Sequence, residues 1–225
     1  MNILDHIPVE LSVEKMKDRL HIKHASQWEE ARPLVEDSIS LIEAKAAYRV
    51  CYIDEKADGA VVVDGVRFTS LVLRKNLEEV ERVFPYVVTI GNGLQEKAGK
   101  SDDLLTKYYL DIIGNVALTA AREYLEEHLR SSHGLDGMSR MSPGSLADWP
   151  IQEQKSLFSL VGDVEAAIGV TLTKSLLMLP QKSISGIYFP TEISFYSCQL
   201  CPRERCPSRK TGYDETLARE YGIHP

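Results

Sequence analysis

Two groups of residues in the second half of the chain have types and spacings that could do chemistry. The first is an arginine followed closely by a turn, Arg140-Met-Ser142-Pro143-Gly144. Proline donates no backbone hydrogen bond and glycine permits close approach, so the turn is expected to leave backbone N–H groups free. A guanidinium beside such a turn can bind a carboxylate through two parallel hydrogen bonds. The pattern indicates a clamp for the amino-acid end of a small ligand, with a structural salt bridge of Arg140 as the alternative.

The second group is a cysteine trio near the end of the chain: Cys198, Cys201 and Cys206, spaced C-x2-C-x4-C with prolines between and after them. A disulfide framework is not expected in a reducing compartment, so metal or redox chemistry has to be considered. Three converging thiolates could hold an iron–sulfur cluster with one open iron, or zinc with a fourth ligand such as His224. The alternative is an exposed tail with unligated thiols. Cys51, which stands alone in a predicted strand, is expected to be a small buried hydrophobe.

Composition excludes several classes of partner. A net charge of −7 over 225 residues argues against a general phosphate-binding surface, so no nucleic acid is expected. No stretch approaches the ~20 apolar residues of a membrane span. Asp5, His6 and Glu10 interrupt any apolar segment of a signal peptide. These features predict a cytoplasmic protein without a membrane partner.

The elements that must position these groups can be assigned from hydrophobic periodicity and turn residues. A helical stripe spans residues 28–46, with its regular part expected to begin near Pro33. The predicted elements that follow are a strand at 48–53, a hairpin at 60–68 turning at Asp64-Gly65, a helix at 70–84, a strand at 86–90, the longest helix at 103–130, a helix after Pro150 and an extended run at 184–189.

Strands and helices do not alternate strictly, which favours an α+β fold with a mostly antiparallel, twisted sheet flanked by helices. We expect residues 1–225 to form one unit, with an N-terminal arm at 1–25 and a cysteine-containing tail at 197–225. Gly91-Asn92-Gly93 does not fit a dinucleotide-binding loop, because the third glycine would fall at Glu96. The loop could still line a ligand cleft.

Four motifs in one order resemble the C-terminal activation domain of vitamin B12-dependent methionine synthase. They are Arg-x-Ser-Pro-Gly at 140–144, Ile-Gly-Val-x-Leu-Thr at 168–173, Leu-Pro-Gln-Lys-Ser at 179–183 and Ser-Gly-x-Tyr-Phe at 185–189. The resemblance covers roughly residues 12–209. It implies the same α+β fold, and it implies a domain that binds S-adenosylmethionine and presents it to cobalamin for reductive methylation.

The resemblance also implies roles for individual residues. Arg140, Ser142, Pro143 and Gly144 would hold the methionyl part of S-adenosylmethionine, and Tyr196 would contact the same ligand. Ser145 stands where the family usually has a tyrosine facing the corrin ring. The cysteine trio departs from the best-known domain of the family and looks like the tail of stand-alone relatives.

The leading hypothesis is therefore an accessory protein for a cobalamin-dependent methionine synthase or a related corrinoid methyltransferase. The partner would carry the cobalamin, because this chain contains no Asp-x-His-x-x-Gly signature, and flavodoxin or ferredoxin would supply electrons. No protein nucleophile or general base is needed, so whether the chain counts as an enzyme stays open. Two alternatives are an iron–sulfur electron-transfer module and an interaction protein with structural zinc.

Overall fold

The computed structural model describes residues 1–206 and 209–223. Ten strands form in this part of the chain: β1 (Asn2–Leu4), β2 (Lys45–Tyr48), β3 (Cys51–Ala57), β4 (Ala60–Val63), β5 (Val66–Thr69), β6 (Arg82–Thr89), β7 (Met138–Met141), β8 (Thr171–Leu172), β9 (Met178–Leu179) and β10 (Ser183–Pro190).

Eight α-helices accompany the strands in the described residues: α1 (Val13–Arg19), α2 (Ala25–Ile39), α3 (Leu71–Asn76), α4 (Gly93–Gly99), α5 (Leu104–His133), α6 (Gln154–Val161), α7 (Val164–Ile168) and α8 (Glu215–Glu220). Two short 3₁₀ turns lie at Ile151–Glu153 and Ser197–Leu200. None of the helices in the described ranges is long and apolar enough to cross a membrane.

Strand β6 is the centre of an eight-stranded sheet in which every pairing is antiparallel. On one side β6 pairs with β2 along its second half and with β3 at its start. On the other side it pairs with β10, and β10 in turn pairs with β7. The predicted α+β class with a mostly antiparallel sheet is confirmed, and the order places β7 at the outer edge of the sheet.

Helix α5 crosses one face of this sheet, and its ends are set by capping residues. Asp103 accepts hydrogen bonds from the backbone N–H groups of Leu105 and Thr106 at 3.2 and 2.9 Å, which satisfies two donors of the first turn. Gly134 ends the helix in the left-handed conformation at φ 62°. The helix therefore extends three residues beyond the predicted end at Arg130.

Successive side chains of β6 point to opposite faces of the sheet, and each face carries its own hydrophobic core cluster. Phe84, Tyr86 and Val88 point toward α5 and share its core cluster. Val83 points to the opposite face, where it packs in a second cluster that includes Trp149. The tail contributes to this second cluster, because Leu200 and Ala218 are fully buried there.

Two sequence predictions about helices are wrong, and tertiary packing explains both. Helix α2 begins at Ala25 and contains Pro33 in its interior, since the buried stripe of Ala31 and Val35 continues on both sides of the proline. The helix predicted over 70–84 stops at Asn76, and residues 82–89 form β6. The central strand takes those apolar residues because both of its faces are covered.

The single strand predicted at 48–53 is two strands, since the chain leaves β2 after Tyr48 and enters β3 at Cys51. The predicted hairpin is confirmed as β4 and β5, and its turn residues Asp64 and Gly65 have φ 43° and 77°. Both positive angles are typical of the two-residue turn that matches the twist of a hairpin. Cys51 is fully buried, as expected, and burial is the main cause that raises the pKa of its thiol to about 12.

Candidate functional site

Arg140 lies in the edge strand β7, directly opposite Tyr188 of β10. The neighbouring residues Met138 and Met141 pack into the core clusters on opposite faces of the sheet. This alternation turns Arg140 toward the same face as Met138, the face that α5 covers. The side chain of Arg140 is 23% exposed, so the guanidinium lies half-buried between the strand and the helix.

The turn that follows β7 is closed by its own hydrogen bonds. The Ser142 hydroxyl donates to the Ser185 carbonyl at 2.7 Å, and the Ser145 hydroxyl donates to the Ser142 carbonyl at the same distance. The Gly144 N–H donates to the Trp149 carbonyl at 2.7 Å, with Gly144 at φ 81°. The expectation of free N–H groups is therefore wrong for Gly144 and for Ser145, whose N–H also donates to Ser142.

The far end of the turn is anchored in the second core cluster. Asp148 accepts hydrogen bonds from the backbone N–H groups of Leu71 and Val72, at 3.2 and 3.0 Å, and from the Ser70 hydroxyl. A carboxylate at the N-terminus of a helix compensates the unpaired N–H groups there, so Asp148 joins the turn to α3. Trp149 is fully buried beside it. The pair fixes the position of the Arg140 turn, a role that we did not assign from the sequence.

Gly186 of the Ser-Gly motif sits under the start of the turn with no room for a side chain. A Cβ atom at this position would lie 2.5 Å from the Met141 carbonyl oxygen and 2.7 Å from the Ser142 hydroxyl. Glycine is required here because the backbone of β7 and the Ser142 hydroxyl lie too close to the backbone of β10 to leave space for a Cβ atom. The Ser185-Gly186 pair therefore positions the turn from the neighbouring strand.

Glu126 of α5 lies beside Arg140, with 3.6 Å between its Oε2 atom and Nη1 of the arginine. The ion pair that the sequence left open as an alternative is thus present. Arg122, one helical turn before Glu126, is also close to this cluster, and its side chain is only 9% exposed. Arg122 contacts Glu123 at 3.4 Å. Neither Glu126 nor Arg122 was singled out from the sequence, where both look like part of a charged helix face.

Two stacked tyrosines form the floor of this cluster. The rings of Tyr86 and Tyr188 lie 4.5 Å apart at an angle of 27°. The Tyr188 hydroxyl donates to the Arg122 carbonyl at 3.4 Å, and the Tyr86 hydroxyl is buried beside the Ser142 hydroxyl above Gly186. Burial raises the pKa of both phenols, and the guanidinium groups of Arg140 and Arg122 oppose that shift. Both hydroxyls therefore remain protonated donors at neutral pH.

Tyr196 is brought to the same edge of the sheet as Arg140. The Phe195 N–H donates to the Ser139 hydroxyl at 2.7 Å, which joins the residue before Tyr196 to the residue before Arg140. The Tyr196 N–H donates to the Gln199 side chain at 2.9 Å, and the tyrosine ring is 40% exposed. The Arg140 turn and the Tyr196 segment thus both adjoin the edge strand β7, but Ser139 and Phe195 lie on the face opposite the Arg140 side chain.

The three tail cysteines are half-buried free thiols around one arginine. The Arg209 guanidinium donates to the carbonyl oxygens of Cys198 and Cys201, each at 3.2 Å, and also to those of Arg203 and Thr211. Within residues 1–206 and 209–223, no three Cys, His, Asp or Glu side chains are arranged to hold a metal ion. His224, the suggested fourth zinc ligand, lies outside the described residues, and the metal site stays a prediction.

Two adjoining clefts of about 430 and 360 Å³ open at the other end of β6 and β10, and both are lined by Gly169 and Pro180. Thr89 and Gly91 line the first, and Asn92 lines the second. The glycine loop therefore lines a cleft, while a ligand in that cleft stays a prediction. Because Thr89 pairs with the first residue of β10, the clefts lie roughly 17 Å along the strand from Arg140.

Comparisons with known proteins give a consistent result. Residues 71–208 match the sequence family described as the activation domain of vitamin B12-dependent methionine synthase. Among solved structures, the chain is similar to the MetH reactivation domain bound to AdoHcy, with a TM-score of 0.58 and 16% sequence identity. That similarity covers 99% of this chain and 86% of the other. No curated protein matches the chain.

Proposed function

The chain belongs to the family of activation domains of vitamin B12-dependent methionine synthase, and on that premise we propose that it binds S-adenosylmethionine for the reactivation of a partner's cobalamin. The observation that carries the proposal is the fixed turn at 140–145 with a half-buried guanidinium at its start. A guanidinium held in one place can bind the carboxylate of an amino acid in a defined orientation.

Arg140 is suited to this role because its existing contact leaves hydrogen-bond donors of the guanidinium available. Its 3.6 Å separation from Glu126 is longer than a hydrogen bond, so the donors of the guanidinium are not fully used. Ser142, Pro143 and Gly144 would shape the space beside the methionyl part of the ligand.

The work of this chain is to position a ligand. Holding the sulfonium methyl group close to its acceptor can contribute several kcal/mol to the transfer, without any nucleophile or base from the protein. Tyr196 offers a half-exposed aromatic ring that can face the sulfonium cation. Cobalamin on the partner would supply the cobalt that accepts the methyl group after reduction by one electron from a donor such as flavodoxin or ferredoxin, and S-adenosylhomocysteine would be the leaving group.

A partner carrying the corrin would dock along the edge formed by the turn and the Tyr196 segment. Exposed apolar side chains border this edge: Ile193 is 84% exposed, and Ile151, which packs against Gly144, is 39% exposed. Ser145 would face the corrin ring. The interface is expected to be small and transient, because the same cobalamin must also reach the other modules of the methyltransferase.

A reconstitution assay tests the proposal. The chain is mixed with cob(II)alamin-loaded methionine synthase that lacks its own activation domain, together with S-adenosylmethionine and a reductant. Methylcobalamin, followed by its absorption spectrum, should form only when all four components are present. Formation at the same rate without this chain would contradict the proposed function.

We also propose that Cys198, Cys201 and Cys206 bind a metal centre, either an iron–sulfur cluster that passes electrons or a structural zinc ion. The C-x2-C-x4-C spacing supports it, as does the Arg209 guanidinium, which fixes the loop by binding the carbonyl oxygens of Cys198 and Cys201. An iron–sulfur centre would favour the alternative function of an electron-transfer module, and zinc would favour an interaction protein.

Replacing all three tail cysteines with serine should abolish bound metal in anaerobically purified protein, while Cys51→Ala should leave the metal content unchanged. The reason is that Cys51 is fully buried in β3 and is not part of the C-x2-C-x4-C series. Elemental analysis gives the metal content, and the visible spectrum distinguishes iron–sulfur from zinc. Wild-type protein that contains neither iron nor zinc would overturn the metal proposal.

A further inference from the structure

Helix α5 carries two charged residues one turn apart on the face that covers the tyrosine floor. Arg122 is almost fully buried there, and Glu126, which is 29% exposed, approaches Arg140 of β7. Both tyrosines are within the electrostatic influence of Arg122, Glu126 and Arg140. The three charges therefore form one cluster, although Arg140 is the only member that the sequence motifs include.

The charges of this cluster are not balanced internally. Arg140 has the half-buried carboxylate of Glu126 beside it, whereas the carboxylate that contacts Arg122, that of Glu123, is 58% exposed and largely solvated. The cluster also contains the buried Nε atom of Arg122, which has no hydrogen-bond partner in the described ranges. Buried polar atoms are seldom left unpaired, so the arrangement suits a ligand that brings a carboxylate.

We propose that Glu126 accepts the α-ammonium group of the ligand whose carboxylate binds Arg140, so that the two side chains together recognise a zwitterionic amino-acid end. The assignment rests on the proposed function and adds a specificity-determining residue to it. The ammonium and carboxylate groups of an amino acid are attached to the same carbon. They can therefore engage two neighbouring side chains of opposite charge at once.

The geometry of the pair supports this role. At 3.6 Å the Arg140–Glu126 contact is a loose ion pair between partly exposed side chains, and such pairs contribute little to stability. A bound zwitterion replaces the ion pair with two sets of charge-assisted hydrogen bonds, one from Arg140 to the carboxylate and one from the ammonium group to Glu126. Charge-assisted hydrogen bonds are stronger than those between neutral groups. The ligand carboxylate also neutralises the excess positive charge of Arg122 and Arg140.

Calorimetric titration with three ligands tests the assignment. S-adenosylmethionine carries a carboxylate, an ammonium and a sulfonium group. Decarboxylated S-adenosylmethionine keeps the ammonium and sulfonium groups and lacks the carboxylate, and 5′-methylthioadenosine lacks all three. Glu126→Gln should weaken the binding of S-adenosylmethionine and of its decarboxylated form by about tenfold, which is the effect of losing a hydrogen bond to a charged group. The affinity for 5′-methylthioadenosine should not change. If Glu126 only oriented Arg140, the affinity for the decarboxylated ligand would not change.

Glu127→Gln is the matched control, because Glu127 lies next along α5 and pairs with Arg130 instead of Arg140. It should bind all three ligands as the wild type does. Unchanged binding of decarboxylated S-adenosylmethionine to the Glu126→Gln variant overturns the assignment, as does an equal loss for all three ligands. A wild type that binds no S-adenosylmethionine instead overturns the proposed function, and the role of Glu126 with it.

Discussion

Replacing Gly186 with alanine should destabilise the protein by about 1–3 kcal/mol, the usual cost of forcing an extra group into a packed site. The new Cβ would lie 2.5 Å from the Met141 carbonyl oxygen, a backbone atom that cannot rotate away. Strand β7 or the turn after it must then move, and the Ser142 hydroxyl at 2.7 Å must move with it. Thermal or denaturant unfolding measures the loss of stability, and calorimetry should show weaker binding of S-adenosylmethionine.

Gly99→Ala is the control for this substitution. Gly99 is the last residue of α4, and a Cβ there would meet no atom within 4 Å. Alanine is also the better helix former, so this variant should be as stable as the wild type or more stable. A Gly186→Ala protein with wild-type stability and ligand affinity would show that the close contact beneath the turn does not constrain the site.

Arg140→Ala should weaken the binding of S-adenosylmethionine by about 1.5–3 kcal/mol, the range for a hydrogen bond to a charged group. This corresponds to a roughly 10- to 150-fold higher Kd. The substitution removes the guanidinium and leaves Glu126 without its cation, so a like charge would face the ligand carboxylate. Titration calorimetry on the folded variant provides the measurement.

Arg32→Ala provides the comparison for Arg140. Arg32 also forms an ion pair with a glutamate, Glu36, but on the surface of α2, where both side chains are 48% exposed. Removing this solvated pair should change stability by less than about 1 kcal/mol and leave ligand affinity unaltered. Equal affinity of the wild-type and Arg140→Ala proteins for S-adenosylmethionine would remove Arg140 from the binding site.

Local patterns predicted much of the architecture. The hairpin at β4 and β5 follows from Asp64-Gly65, which accept the positive φ angles of a tight turn. The long helix follows from its apolar period and from Asp103 at its start. The errors occurred where tertiary contacts outweigh local preference. Pro33 lies inside α2, and residues 82–84 join the central strand instead of extending a helix.

The sequence by itself determined the antiparallel α+β class, the motifs of the family and the grouping of Arg140 with its turn. Those features depend on residues close together in the chain or on a fixed order of motifs. It did not indicate the partner of Arg140. Glu126 lies 14 positions earlier in a run of charged helix residues, and only the way in which α5 rests on the sheet selects it.

The tertiary structure also decided why Gly186 must be glycine and why the N–H of Gly144 is not free. Gly186 belongs to β10, and its contacts come from β7, 45 residues earlier in the chain. The Gly144 N–H is taken by the Trp149 carbonyl because Trp149 is buried in the core. Periodicity reports which face of an element is apolar, but the distances between elements depend on side-chain packing across the whole core.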